Sequence, residues 1–370
     1  MPPAIPPPRE LIQIAETLLI AAGGGVAFSL IGFPAGLVSG SMLATAVAAL
    51  MGRPMKVPSS LARVCFVLIG ILLGAVVTPG TLRGIADWPL SIALLAVSAA
   101  CMTIATTYYL RFVHGWDPLS ALLGASPGSM AQALALSAEF GANLRGIAIV
   151  QTMRVLLVTI GLPGGLALFG LAAGSAGVGP APAAGGSLAE LAILVAVSAV
   201  MATLMVWIKF PGGLLFGAMA GSAILHGGDF LHAVLPRSLG NAAVVVLGAV
   251  VGARFANTSV RTVMDYLSAA LGSSAVAIAI SAFFMLVVTS LLPFRIADVL
   301  IAFAPGGQDT MMVVALALHL DPVFVGAHHL ARFLVVTFSV ALTARRLARR
   351  KLGPRDRERW RRPGQGTFDD

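Results

Sequence analysis

The chain alternates long apolar runs with short polar or Gly/Pro-containing breaks. The runs cover 11–28, 33–50, 61–77, 90–113, 119–140 and 146–169, then 188–208, 211–225, 239–255, 267–291, 297–318 and 324–342. About 20 apolar residues cross the hydrocarbon core as a helix, so the pattern predicts an all-α polytopic membrane protein. The second run of each half carries small residues at a four-residue step, Gly32, Gly36 and Gly40 in one and Gly213, Gly217 and Gly221 in the other. The third adds Gly70 with Gly74 and Gly248 with Gly252. Residues four apart share one helix face, and small side chains there let helices approach closely in lipid; these faces are expected to be packing seams.

The same pattern is written twice. Phe33-Pro34-Ala35-Gly36-Leu37 is answered by Phe210-Pro211-Gly212-Gly213-Leu214, and Ser126-Pro127-Gly128-Ser129 by Ala304-Pro305-Gly306-Gly307. Pro127 and Pro305 lie 178 positions apart, as do Arg154 and Arg332, and Gly70, Gly74 and Arg83 map onto Gly248, Gly252 and Arg261 at that shift. A spacing held so long indicates two homologous repeats of five or six apolar segments each, an organisation common in secondary transporters. The expected division is a tail over 1–10, repeat one over 11–171, a Gly/Ala/Pro linker over 172–187, repeat two over 188–343 and a basic tail over 344–370.

In the fifth segment of each repeat a Pro-Gly pair interrupts the helix, because proline removes a backbone hydrogen bond and clashes with the preceding turn. Ser126 is expected to cap a new helix opened by Pro127, and Pro305 to open its counterpart. Each new N-terminus would sit near mid-membrane, where its partial positive charge and free N–H groups suit an anion. If these segments dip in and return, the repeats are inverted; if they cross, the repeats are parallel. Inversion places Lys209, Arg254 and Arg261 inside and Arg237 and Arg295 outside, which the positive-inside rule favours.

Arg154 and Arg332 fall about nine residues into the sixth segments, close to the midplane, where a charge by default suggests function. The turn after Leu318 brings Asp309 to the depth of Arg332 and predicts a buried pair. In repeat one the corresponding residue is Ala131, so Arg154 is expected to pair farther away, with Asp309 or Glu139, or to await an anionic ligand. The candidate substrate site is therefore Arg154, Arg332, Ser126, Gly128, Ser129, Gln132, Gln151, Gly306, Gly307 and Gln308, with Asp309 and His329 as candidates for ion coupling.

Composition agrees with a life in the bilayer. Hydrophobic residues make up 58% of the 370 and charged ones 11%, and mean hydropathy is +0.94, beyond what soluble globular proteins reach. Cys65 and Cys101 lie inside apolar runs, which indicates neither a disulfide framework nor a metal knuckle. No cofactor is implied. The formal net charge of +9 is concentrated after Leu342, in Arg345, Arg346, Arg349, Arg350 and the residues beyond. This places the C-terminus in the cytoplasm and the chain in the inner membrane.

Pro127-Gly128-Ser129 through Gly141-Ala142-Asn143 to Arg154, and Pro305-Gly306-Gly307 through Asp321 to Arg332, resemble the AbrB-duplication family of integral membrane proteins over nearly the whole chain. Where the family places an acidic residue after the glycines, this chain has Gln132 and Thr310, with Asp309 adjacent. Members carry the names of ammonia monooxygenase and of regulator of gene expression. An oxygenase needs a cluster of metal ligands, whereas the six histidines are scattered and have no matching set in repeat one. A transcription factor needs a DNA-reading module, and no soluble segment is large enough for one. The expectation is a non-enzymatic secondary transporter of a small organic anion, such as a carboxylate, coupled to H+ or Na+. The lipid bilayer and a second copy of the chain are its expected partners, without direct nucleic-acid binding. A membrane-embedded regulator acting indirectly is the alternative.

Overall fold

A computed structural model describes residues 7–78, 84–128, 130–170 and 187–351. Linker residues 172–186, Ser129, Arg83 and the tail beyond Lys351 lie outside the described residues. Repeat one consists of α1 (Pro8–Leu30), α2 (Gly36–Leu50), α3 (Ser59–Gly74), α4 (Pro89–Phe112), α5 (Pro118–Ala125), α6 (Met130–Phe140) and α7 (Leu144–Leu168). Repeat two consists of α8 (Leu188–Trp207), α9 (Gly213–Gly227), α10 (Arg237–Gly252), α11 (Val260–Leu291), α12 (Ile296–Phe303), α13 (Gln308–Ala317) and α14 (Pro322–Lys351). No strand occurs among the described residues. Seven helices (α1, α4, α7, α8, α10, α11 and α14) are long and apolar enough to cross a membrane, as a multi-pass membrane protein requires.

The helix order is the same in both halves, and α3, α5, α6 and α7 each begin 178 residues before α10, α12, α13 and α14. Even the entry turns agree, since Ala35 and Gly212, which precede α2 and α9, both adopt the left-handed conformation. The last helix continues past the apolar run into the basic segment and carries Arg345 and Arg346 near its end. Cations are favourable there because a helix C-terminus carries partial negative charge.

Small residues decide how the halves join. Within each half α2 packs on α1 and α9 on α8, while between halves α3 packs on α9 and α10 on α2. A Cβ placed on Gly70 would lie 2.7 Å from that of Ala218, and one on Gly252 would lie 2.7 Å from that of Thr45. Both separations are below any ordinary contact, so these positions admit glycine alone without movement of the partner helix. Ser222 Oγ donates to the Ile71 carbonyl across the seam at 2.8 Å. Along α3, Gly70 meets Leu215 and Gly74 meets Met219, and along α10, Gly248 meets Ser41 and Gly252 meets Thr45. Both inter-half pairs therefore run parallel. Gly32 does not belong to its predicted seam: it turns the chain after α1 with φ of 73° and has nothing near its missing side chain.

The fifth segments are hairpins. The Asn143 N–H donates to Ser120 Oγ, Gln151 Nε2 to the Leu123 carbonyl and Arg154 to those of Ala125 and Ser126, so α5 ascends beside α7 in the same direction. The Ala142 N–H donates to the Ser137 carbonyl, and Met130 lies against Thr152, so α6 descends beside α7. In repeat two the Asp321 N–H donates to Asp298 Oδ1, His329 Nε2 to the Ile301 carbonyl and Arg332 to that of Ala304, and the Leu320 N–H donates to the Ala315 carbonyl. Each of these residues lies 178 beyond its counterpart.

A hairpin has both mouths on one face. In a cysteine-free background, Val113→Cys and Arg145→Cys should react with an impermeant thiol reagent from the same side of the membrane, and Arg295→Cys and His319→Cys from the opposite side. Labelling of Val113→Cys and Arg145→Cys from opposite sides would mean that α5 and α6 form one crossing helix.

Candidate functional site

Proline ends α5 and α12, but it does not open the helices that follow. Ser126 and Ala304 are extended, as residues before proline must be, and α6 and α13 start only at Met130 and Gln308. Ser126 Oγ turns back to the Leu123 carbonyl at 3.0 Å, so it does not cap α6. Each break leaves backbone carbonyls at the C-terminal end of a half-helix, and those of Ala125, Ser126 and Ala304 belong to buried residues. An unpaired buried group of this kind costs about 1 to 3 kcal/mol.

Arginine meets this demand in both halves. Arg154, 3% exposed, donates from Nη1 to Ala125 O at 3.0 Å and from Nη2 to Ser126 O at 2.9 Å. Arg332, also 3% exposed, donates from Nη1 to Ala304 O and from Nη2 to Gly306 O at 3.1 Å. A guanidinium at a helix C-terminus also faces the negative end of the dipole. His329 Nε2 donates to the Ile301 carbonyl at 3.1 Å, which leaves Nδ1 as the acceptor of the Arg332 Nη2–H at 2.7 Å. Gln151, its counterpart, makes the equivalent bond to Leu123 O at 2.7 Å.

The expected Asp309–Arg332 pair does not form: Arg332 is taken by two carbonyls and His329, and Asp309 has no ion pair among the described residues. Hairpin arithmetic fixes the depth of a residue on its helix but not the direction it faces. Asp309, in the first turn of α13, faces a cavity instead. Nor is Arg154 paired with Asp309 or Glu139, or idle.

That cavity, of about 250 Å³, lies where the two hairpin tips meet. Gly128, Gln151, Arg154, Gly306, Gly307, Gln308 and Asp309 line it, as the sequence predicts. Ser126, Gln132, His329 and Arg332 do not. Gln132 donates instead to the Thr337 carbonyl of α14 at 3.1 Å, while His329 and Arg332 form the support behind the break. The site residue that the sequence reading missed is Arg254, in a short 3-10 turn after α10, which enters the cavity wall with Nη1 3.7 Å from Met130 Sδ. Its counterpart at the 178 shift is Val76, and that asymmetry was the available signal. Arg154 Nε and Gln308 Oε1 are buried without a hydrogen-bond partner. A second, more apolar cavity of about 360 Å³ reaches Gln308 and Asp309 from beside Phe66 and Leu214.

If Arg332 is a clamp rather than half of an ion pair, Arg332→Gln should destabilise by about 2 to 6 kcal/mol, since it strands two carbonyls. Asp309→Asn should cost much less, and the double variant should equal the sum within about 0.5 kcal/mol. Unfolding of the purified protein measures all three, and a coupling well above that margin would restore the ion pair.

The family described as "Transition state regulatory protein AbrB" matches residues 37–348. The chain is 25% identical over 351 residues to "Uncharacterized protein YhjN" of Bacillus subtilis (strain 168), covering 89% of this chain and 91% of that one. It is 26% identical over 348 residues to "Putative regulator AbrB" of Escherichia coli (strain K12), covering 90% and 93% respectively. With the match running from α2 into the last turn of α14 and including both breaks and both arginines, the chain belongs to the AbrB family.

Proposed function

We propose that this AbrB-family protein is a secondary transporter of a small organic anion, built from two inverted repeats in the inner membrane with its C-terminus in the cytoplasm. One observation carries the reading: a cavity between two broken helices holds Arg154, with Nε unpartnered, beside the N-termini of α6 and α13. Its volume is below the roughly 300 to 1,000 Å³ of pockets for drug-sized ligands, which suits a metabolite of a few carbons. Discontinuous helices meeting at mid-depth, with their positive ends turned to an anionic group, are how many transporters seat substrate.

Inversion is supported by the parallel seams. If α2 and α3 cross in opposite directions, then α9, parallel to α3, opposes its own counterpart α2, and α10 likewise opposes α3. Two hairpins opening on opposite faces fit the same scheme. It also gathers Arg53, Lys56, Arg63, Arg111, Arg145, Lys209, Arg254, Arg261, Arg345 and Arg346 on one face, against Arg237 and Arg295 on the other, where the order of apolar runs also puts Arg83, a cytoplasmic bias under the positive-inside rule. Arg254 belongs to the cytoplasmic set, so the cavity is reached from that side. Asp309 is the carboxylate available in the cavity wall to carry a coupling ion, H+ or Na+.

The name of the Escherichia coli relative favours a second reading, a membrane-embedded regulator in which the same cavity senses an anion without moving it. Uptake of labelled carboxylates into proteoliposomes separates the two. The anion site itself is tested by Ala131→Asp, which puts into repeat one the carboxylate that repeat two has at Asp309. The variant should keep or gain thermal stability, because an acid in the first turn suits α6, yet lose at least about tenfold in carboxylate affinity by like-charge repulsion. Unchanged affinity would sink the anion reading.

A further inference from the structure

We propose that Arg254 is a second anchor for the ligand, and that the cavity selects small dicarboxylates over monocarboxylates. The inference rests on the anion reading above and adds the substrate class. Arg254 stands beside Met130, the first residue of α6. A guanidinium next to a helix N-terminus opposes the positive end of the dipole, and Arg154 adds a second positive charge in the same wall. The first turn of α6 offers Met130, Ala131 and Gln132 and no acid, whereas α13 carries its own Asp309. The uncompensated positive charge is therefore concentrated on the repeat-one side of the cavity.

Neither arginine is matched by a carboxylate: among the described residues no salt bridge includes Arg154 or Arg254. Counting two guanidiniums, Asp309, about half a positive charge for each helix N-terminus and about half a negative charge for the α5 C-terminus that Arg154 caps, the cavity carries a net positive charge of roughly 1.5. A monocarboxylate leaves one of the two arginines unanswered. A dianion with one carboxylate at the buried Arg154 and the other at the exposed Arg254 answers both, and two charges at opposite ends of a short carbon chain are the simplest ligand of that form.

Binding of succinate and butyrate, four carbons each, to the purified full-length protein by calorimetry tests this. The parent should bind succinate at least about tenfold more tightly, the worth of one charge-assisted contact. Arg254→Gln should remove that preference by weakening succinate alone, Arg254→Lys should restore part of it, and Arg261→Gln, on the same face but outside the cavity, should leave it intact. Equal binding of the two acids by the parent, or equal losses in Arg254→Gln, would overturn the two-anchor site while leaving the anion reading in place. Loss of the preference in Arg261→Gln would reduce the effect to general surface charge and overturn it as well. Failure of the parent to bind either acid overturns both.

Discussion

A helix broken inside a membrane leaves carbonyl groups with no water to receive them, and the rest of this structure is organised around that requirement. At the ends of α5 and α12 the donors are the paired terminal nitrogens of Arg154 and Arg332. A planar guanidinium can serve two carbonyls at once and does not give up its charge. Lysine offers no such fork, and a bound cation could dissociate. The arginines are thus a fixed part of the fold, and one of them, Arg154, also lines the cavity.

The two halves are joined by the glycine seams. Glycine at positions 70, 74, 248 and 252 brings the third helix of each half against the second helix of the other. Close backbone packing of this kind replaces the hydrophobic drive that is missing in lipid. Each hairpin also touches the other half, α5 and α6 on α14 and α13 on α3 and α7, and the two tips share one cavity. Arg154 from repeat one and Arg254 and Asp309 from repeat two can therefore meet, although they are distant in the chain.

The departures from symmetry lie at the site. Gln151 and His329 do the same structural work in the two halves, each donating to a carbonyl 28 residues earlier. Met130–Ala131 against Gln308–Asp309, and Val76 against Arg254, are different in kind. Packing alone does not account for an exposed arginine beside the N-terminus of α6, where it opposes the positive end of the dipole.

The sequence alone determined the all-helical membrane class, the duplicated order of elements, the position of both breaks and half of the cavity wall, because each follows from local properties. Apolar length sets a span, proline ends a helix, and a repeated spacing sets equivalent positions. Seven of the predicted site residues line the cavity, while Ser126, Gln132, His329 and Arg332, equally polar and close to the same breaks, turn to backbone carbonyls instead. What only the tertiary structure decided was which neighbour each side chain faces. Equal depth suggested that Arg332 meets Asp309, but helix rotation turned the arginine toward the carbonyls and the acid into the cavity. Arg254 lay near the end of an apolar run and read as a topology signal until α10, packed on α2, carried it to the tip of α6. Depth along a helix is written in the spacing of residues; azimuth and partner are set by how the helices pack.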